Sequence, residues 1–247
     1  MGRWSQLLAH DFLSWLAPSS NLRWLDVCCG SGVLTEVIVQ RFAPAEVSGI
    51  DASPHQIEFA RSHRASPVAN FETGNAMALP FADASLDVAV CGLGLNFIPQ
   101  PELALQEMRR VTIPGAMIAV YVWDYAEGAR FLREFWDVAA AIDPEAFAYD
   151  QSYRFPMCNP DSLSKLFESA SLQDVTVRAL DISTRFANFD YYWQPFLTGQ
   201  GSAPNYLASR DESTRAAIRE RLRGSIPTDP NGAIELPARA WAVRGRR

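Results

Sequence analysis

The sequence predicts an α/β fold in which a mostly parallel, doubly wound sheet carries helices on both faces. Two observations predict it. Between residues 22 and 123, short apolar runs alternate with segments whose apolar residues recur at helical spacing. Several of those runs, "LDVAVCGLGL" above all, are apolar almost throughout, as strands covered on both faces are. In such sheets, connections are right-handed and ligands bind outside the carboxyl ends of the strands.

The elements follow in order. Leu7, Leu8, Phe12, Trp15 and Leu16 recur at helical spacing and predict an opening amphipathic helix, which Pro18-Ser19-Ser20 ends. Trp24–Cys28 reads as a buried strand and Val33–Phe42 as a helix. Glu46–Asp51 is a second strand ending in an acid. Pro54–Ala65 is a helix with Ser53 as N-cap and Pro54 at its first position. Ala69–Asn75 and Leu86–Leu95 are the third and fourth strands, and Pro101–Val111 a helix. Pro114-Gly115 reads as a turn before a fifth strand, Ala116–Trp123. Beyond it, Phe131, Phe135 and Val138 mark a helix, Asn159-Pro160-Asp161 starts another that runs to Ala170, and Asp174–Leu180 is a sixth strand. Phe186–Leu207 is aromatic and rich in Gly and Pro. A charged helix covers Asp211–Arg223, and the last strand lies near Ala238–Arg244, with Pro237 placing its start at an edge or in an irregular stretch.

A length of 247 residues suits one domain, 1–247, with insertions. Residues 1–123 form a ligand-binding half, and 127–157 and 186–223 a helical, aromatic lid. A net charge of −6 argues against nucleic acid as a partner. No apolar run is long enough to span a bilayer, so no membrane role is expected. Cys28, Cys29, Cys91 and Cys158 show no metal-like spacing, and neighbouring strand residues point to opposite faces, so a Cys28–Cys29 disulfide is not expected. Reduced thiols, a cytoplasmic location and no metal are the simplest reading.

The candidate chemistry sits at strand ends. Asp26 closes the first strand, and Gly30 and Gly32 follow just before a helix, where glycine lets a ligand approach the backbone. Asp51 closes the second strand, where a carboxylate can accept two hydrogen bonds from a vicinal diol such as ribose. Asn75-Ala76 ends the third, and Cys91–Asn96 leads off the fourth.

"LDVCCGSG" (residues 25–32), "GIDAS" (49–53), "GNAMALPFADASLDVAVC" (74–91) and "ALQEMRRVTIPGAMIAVY" (104–121) together resemble the class I S-adenosylmethionine-dependent methyltransferases. "MGRWS" and "YYWQPFLTGQGSAP" resemble a bacterial, small-molecule subgroup in which Met1 would be a clipped or alternative start. The resemblance implies a Rossmann-like seven-stranded sheet with an antiparallel last strand, S-adenosylmethionine as cofactor, and a small-molecule methyl acceptor. It also implies a monomer or homodimer. Asp26 and the loop Cys28, Gly30, Ser31 and Gly32 would hold the methionine part, and Asp51 the ribose. Ala52 and Gln56 would flank the adenine, with Asn75 at its amino group and Ala76 offering a backbone N–H. Cys91 to Leu93 would line the far side of the sulfonium. Cys28 stands where the family has glycine, and a residue with a Cβ excludes a left-handed backbone there unless strain is tolerated.

The plainer readings run alongside. Asn75 could as well be a turn residue. Trp4, His10, Asn96, Tyr121, Trp123, Tyr153 and Trp193 are acceptor-side candidates, although the aromatics among them could equally pack a core. No convincing general base appears, which leans towards a nitrogen or carbon acceptor. An NAD-dependent oxidoreductase would also want an acid at Asp51, but the loop lacks G-x-G-x-x-G. A non-catalytic S-adenosylmethionine binder is the other alternative.

Overall fold

A computed structural model describes residues 2–64, 67–197 and 201–247, with the side chains of residues 2 and 3 left aside. The chain runs through α1 (Gly2–Leu16), β1 (Arg23–Val27), α2 (Val33–Phe42), β2 (Glu46–Asp51), α3 (Pro54–His63), β3 (Ala69–Thr73), β4 (Leu86–Gly92), α4 (Pro101–Val111) and β5 (Thr112–Trp123). It continues through α5 (Arg130–Ile142), α6 (Gln151–Arg154), α7 (Pro160–Ser169), β6 (Gln173–Phe186), α8 (Phe189–Trp193), α9 (Ser202–Ala208), α10 (Glu212–Ser225) and β7 (Ile234–Arg246). The expected last residue of the third helix, Ala65, and positions 198–200 of the aromatic stretch lie outside the described residues.

The seven strands form one sheet in the order β3-β2-β1-β4-β5-β7-β6. The five N-terminal strands are parallel neighbours, with Asp26 opposite Gly49 on β2 and Val90 on β4. Arg239 bonds Asp181, and Leu236 accepts from Thr184, so numbers fall on β7 as they rise on β6 and the two run antiparallel. The strand order reverses on either side of β1, which opens a crevice at the carboxyl ends of β1 and β4.

Local chemistry explains the boundaries. The Ser53 hydroxyl caps α3 by accepting from Gln56 N–H, Asn159 caps α7 through Ser162 N–H, and Asp211 caps α10 through Thr214 N–H. Several sequence readings change, and the sixth strand runs on past Leu180 to Phe186. Pro114-Gly115 is no turn between elements: β5 begins at Thr112, and the extra residues form a bulge, since Leu86 pairs with Thr112 while Val88 pairs with Met117. Gly115 N–H donates to Arg247 C=O, so the bulge is paired with the chain end. The fourth strand stops at Gly92, because Leu93 turns left-handed (φ 58°) and a short 3-10 turn, Leu95–Phe97, follows. The last strand starts at Ile234 and takes in Pro237. Two residues past the proline, the backbone of Arg239 accepts from Asp124 N–H and donates to Gly128 C=O.

The chain divides into two compact units. One holds Met1–Val122, Asn159–Leu180 and Ala240–Arg247; the other holds Trp123–Cys158 and Asp181–Arg239. The first packs α1, through Leu8, Phe12, Leu13 and Leu16, and the apolar faces of its strands into a core. The second is built around aromatic rings: Phe135 stacks on Phe196 at 4.5 Å and meets Trp136 edge-on at 5.0 Å, and Tyr206 meets Trp136 at 5.6 Å. Both stretches read as lid in the sequence fall mostly within this second unit.

Candidate active site

Four connections build the floor of the crevice: the loops after β1, β2 and β3, and the turn after β4. Asp26 is buried within β1. Its Oδ2 accepts from the Thr35 hydroxyl at 2.7 Å, and its Oδ1 has no hydrogen-bond partner. Burial pushes its pKa up to about 7. The Thr35 bonds oppose that shift and the Asp51 charge adds to it.

Asp51 ties the first two loops together. One oxygen accepts from Gly30 N–H and the other from Ser53 N–H, both at 2.9 Å, and each keeps a further lone pair. Gly30 is left-handed (φ +53°), and a Cβ there would meet no protein atom within 4 Å, so its open side is crevice. Gly32 N–H closes the loop onto Cys29 C=O at 2.9 Å and leads into α2.

The two thiols have different roles. Cys29 packs with Ile57, Ala60 and Phe71, and burial drives its thiol pKa far up. Cys28 takes the exception that the sequence reading left open. It is left-handed (φ +56°), so the chain keeps the glycine conformation with a Cβ in place. A strain of about 1–2 kcal/mol goes with that geometry. Its side chain is half-buried and meets the thiol of Cys91, whose pKa is raised first by Cys28 and then by burial.

The crevice has a volume of about 580 Å³, within the range of small-molecule sites. Of the residues expected around the cofactor, Asp26, Cys28, Gly30, Ser31, Asp51, Ala52, Gln56, Asn75, Ala76 and Leu93 line it. Gly32 and Cys91 do not. Gly32 is turned into the loop, and Cys91 is fully buried behind Cys28. Asn75 acts as a turn residue, its Oδ1 accepting from Met77 N–H at 2.9 Å, while the side chain still borders the crevice.

The acceptor-side candidates separate. Tyr121 lines the crevice. Trp4 is buried on α1 and is not a lining residue, but its neighbour Ser5 is. His10 stays away from the crevice, its carbonyl accepting from Ser14 and Arg41. Asn96 is buried, with neither amide atom partnered, in the turn after β4. The other three lie in the second unit. Trp123 is buried edge-on against Phe131, and Trp193 packs against Phe135, Phe189 and Phe196, so both are core residues of that unit. Tyr153 is exposed, stacks on Phe147 at 3.7 Å, and lines a second, charged cavity with Arg130 and Arg133. The sequence reading missed Ser5, Met77, Phe97, Ile98 and Pro99, which border the crevice. Phe97 and Pro99 follow the fourth run directly, and that adjacency was the available signal. Thr35 as the partner of Asp26 carried none. Among the described residues there is no metal-like cluster, and no helix is long and apolar enough to cross a membrane.

With this geometry in place, known proteins can be set beside it. A family model described as a methyltransferase domain matches residues 25–120. The demethylmenaquinone methyltransferase of Staphylococcus aureus is 33% identical over 168 residues, covering 63% of this chain and 69% of that protein. The solved YcgJ protein of Bacillus subtilis aligns over 97% of both chains with a TM-score of 0.61 at 17% identity. A Haemonchus contortus phosphoethanolamine N-methyltransferase, solved with phosphomonomethylethanolamine and S-adenosylhomocysteine, gives a TM-score of 0.60 at 12% identity, over 97% of this chain and 52% of that one. At those identities the two structures speak for the fold.

Proposed function

Because the chain belongs to the class I S-adenosylmethionine-dependent methyltransferases, we propose that the crevice between β1, β2 and β4 binds S-adenosylmethionine for methyl transfer to a small-molecule acceptor. The observation that carries the binding site is the pair of acids at the ends of β1 and β2, both opening on one crevice. The residues suit the cofactor: Asp26 has an oxygen without a partner, Asp51 has lone pairs to spare, and Gly30 leaves open space where a side chain would stand.

When bound, the cofactor supplies an electrophilic methyl group on a sulfonium. Asp51 holds the ribose hydroxyls while its two backbone bonds keep it aimed. Asn75 and Ala76 border the base, and Ala52 and Gln56 flank it. Asp26 and the Cys28–Gly30 loop hold the amino-acid end. Thr35 fixes the Asp26 carboxyl, so no side-chain search is needed on binding. Leu93, Phe97 and Ile98 give the crevice an apolar wall, which excludes water and favours in-line approach by an acceptor with an apolar body. Among the described residues, no histidine lines the crevice. That accords with an amine or stabilised-carbanion acceptor, which needs little help from a base. The four free cysteines suit a reducing, cytoplasmic setting.

The test is turnover: incubation with methyl-labelled S-adenosylmethionine and a panel of amine, phenol and carbon acceptors. Acceptor-dependent S-adenosylhomocysteine supports the proposal. Tight cofactor binding with no turnover across the panel would mark a binder instead of an enzyme.

A further inference from the structure

Tyr121 stands where its side chain has little structural reason to carry a hydroxyl. It pairs with Gly92 across β4 and β5, as Asp26 pairs with Val90 across β1 and β4. Val90 and Gly92 are two residues apart on one strand, so Asp26 and Tyr121 project from the same face of the sheet. The ring of Tyr121 lies over Gly92. A Cβ at that glycine would sit 2.7 Å from the hydroxyl oxygen and 2.9 Å from the adjoining ring carbon, so glycine there is what lets the ring reach over β4 towards β1. Phe12 of α1 packs on the ring at 4.6 Å and holds it down.

Other buried tyrosines use their hydroxyls within the protein. Tyr192 donates to Phe131 C=O and Tyr206 to Asp143, each at 2.9 Å. Tyr121 is only 2% exposed, yet its hydroxyl makes no such bond among the described residues, and the residue borders the crevice. A tyrosine this buried normally finds its hydroxyl a partner. On the same face, the Oδ1 of Asp26 also lacks one. Burial, with the Asp26 charge, holds the phenol far above its ordinary pKa, so it stays protonated. An unpartnered carboxylate oxygen and a neutral, unpartnered hydroxyl therefore belong to two residues that share one sheet face and line one crevice. That pair suits a group bearing both N–H donors and positive charge. A carboxylate would be repelled by Asp26, and a sulfonium has no N–H to offer.

We infer that Tyr121 binds the amino-acid end of the cofactor, its phenol oxygen accepting a hydrogen bond from the α-ammonium opposite the free oxygen of Asp26. This moves Tyr121 from the acceptor side, where the sequence put it, to the cofactor side, and it rests on the methyltransferase reading.

Calorimetric titration of the wild type and Tyr121→Phe with S-adenosylhomocysteine and with 5′-methylthioadenosine, which lacks the amino-acid end, tests it. Because the hydroxyl has no partner in the protein, the phenylalanine variant keeps its packing on Phe12 and folds. S-adenosylhomocysteine should bind the variant about 5–20-fold more weakly. Methylthioadenosine should bind both proteins alike. Equal weakening of the two nucleosides would make Tyr121 a packing residue and overturn the inference. So would unchanged S-adenosylhomocysteine affinity with a raised KM for the acceptor. A wild type that binds neither nucleoside would defeat the methyltransferase reading itself, and the Tyr121 assignment with it.

Discussion

The two units treat buried polar groups in opposite ways. In the aromatic unit they are paired. Asp150 takes two bonds from Arg133 and one from Ser152 N–H, Gln151 accepts from Trp136 Nε1 at 2.6 Å, and Tyr192 and Tyr206 each donate. Its one buried orphan among the described side chains is Nε of Arg215, whose guanidinium still reaches Glu212. In the crevice unit, Asp26 Oδ1, both amide atoms of Asn96, Trp24 Nε1 and the Nε atoms of Arg64 and Arg109 are unpartnered among the described side chains; of these residues only Asp26 lines the crevice, whose loops also hold Cys28 and Leu93 in left-handed backbone. A buried polar group without a partner costs about 1–3 kcal/mol, a cost that a ligand in the crevice would offset for Asp26. The contrast sets the paired polar groups that hold the aromatic unit against Asp26, whose free oxygen we assign to the cofactor.

Breaking that contrast gives a graded series. The largest effect is expected at Asp51→Ala, which removes the ribose acceptor and the brace on Gly30 and Ser53. S-adenosylhomocysteine binding should weaken by about 1.5–3 kcal/mol for each charge-assisted bond lost, and unchanged affinity by calorimetry would contradict the ribose role.

Asp26→Asn should act on stability and binding with opposite signs. The Asp26 carboxyl is held at about 7 in the fold against 3.8 ordinarily. Between those values the native state keeps a proton that the unfolded chain gives up. The contribution of this group to stability is therefore full below about pH 4 and lost as pH rises towards 7. The variant removes that loss, so denaturant melts at pH 8 should show it more stable by about 1–3 kcal/mol. Its S-adenosylhomocysteine affinity should fall. A variant less stable than the wild type at pH 8 would show that Asp26 serves the fold.

Tyr206→Phe probes the paired unit. It should cost about 1 kcal/mol of stability and leave cofactor affinity unchanged. The smallest effect belongs to Cys28→Gly. Relief of the left-handed strain, about 1–2 kcal/mol, offsets the packing lost against Cys91, so melts and cofactor titrations should both stay near the wild type. A large loss of affinity there would make the thiol itself a ligand contact.

Much of this was legible in the sequence because its signals are local. Asp26, Gly30 and Asp51 mark strand ends through residue type alone, and Ser53, Asn159 and Asp211 mark helix starts. What stayed illegible depends on distant partners. Nothing near Pro114-Gly115 reveals that Arg247 pairs with it and turns an expected break into a bulge within β5. Nothing near Cys28 says that its backbone keeps the glycine geometry, since the brace comes from Asp51 and Ile50 on another strand. Tyr121 read as an acceptor-side residue because only the register of β4 against β5 brings it over Gly92. Trp123 and Trp193 read as possible substrate contacts because an aromatic run looks the same whether it lines a pocket or fills a core.

The most direct measurement is calorimetric titration of the wild-type protein with S-adenosylhomocysteine and, separately, with NAD. Micromolar binding of the first and none of the second is the expected result. NAD binding, or silence with both, would mean that the acids and unpartnered oxygens of the crevice serve something other than this cofactor.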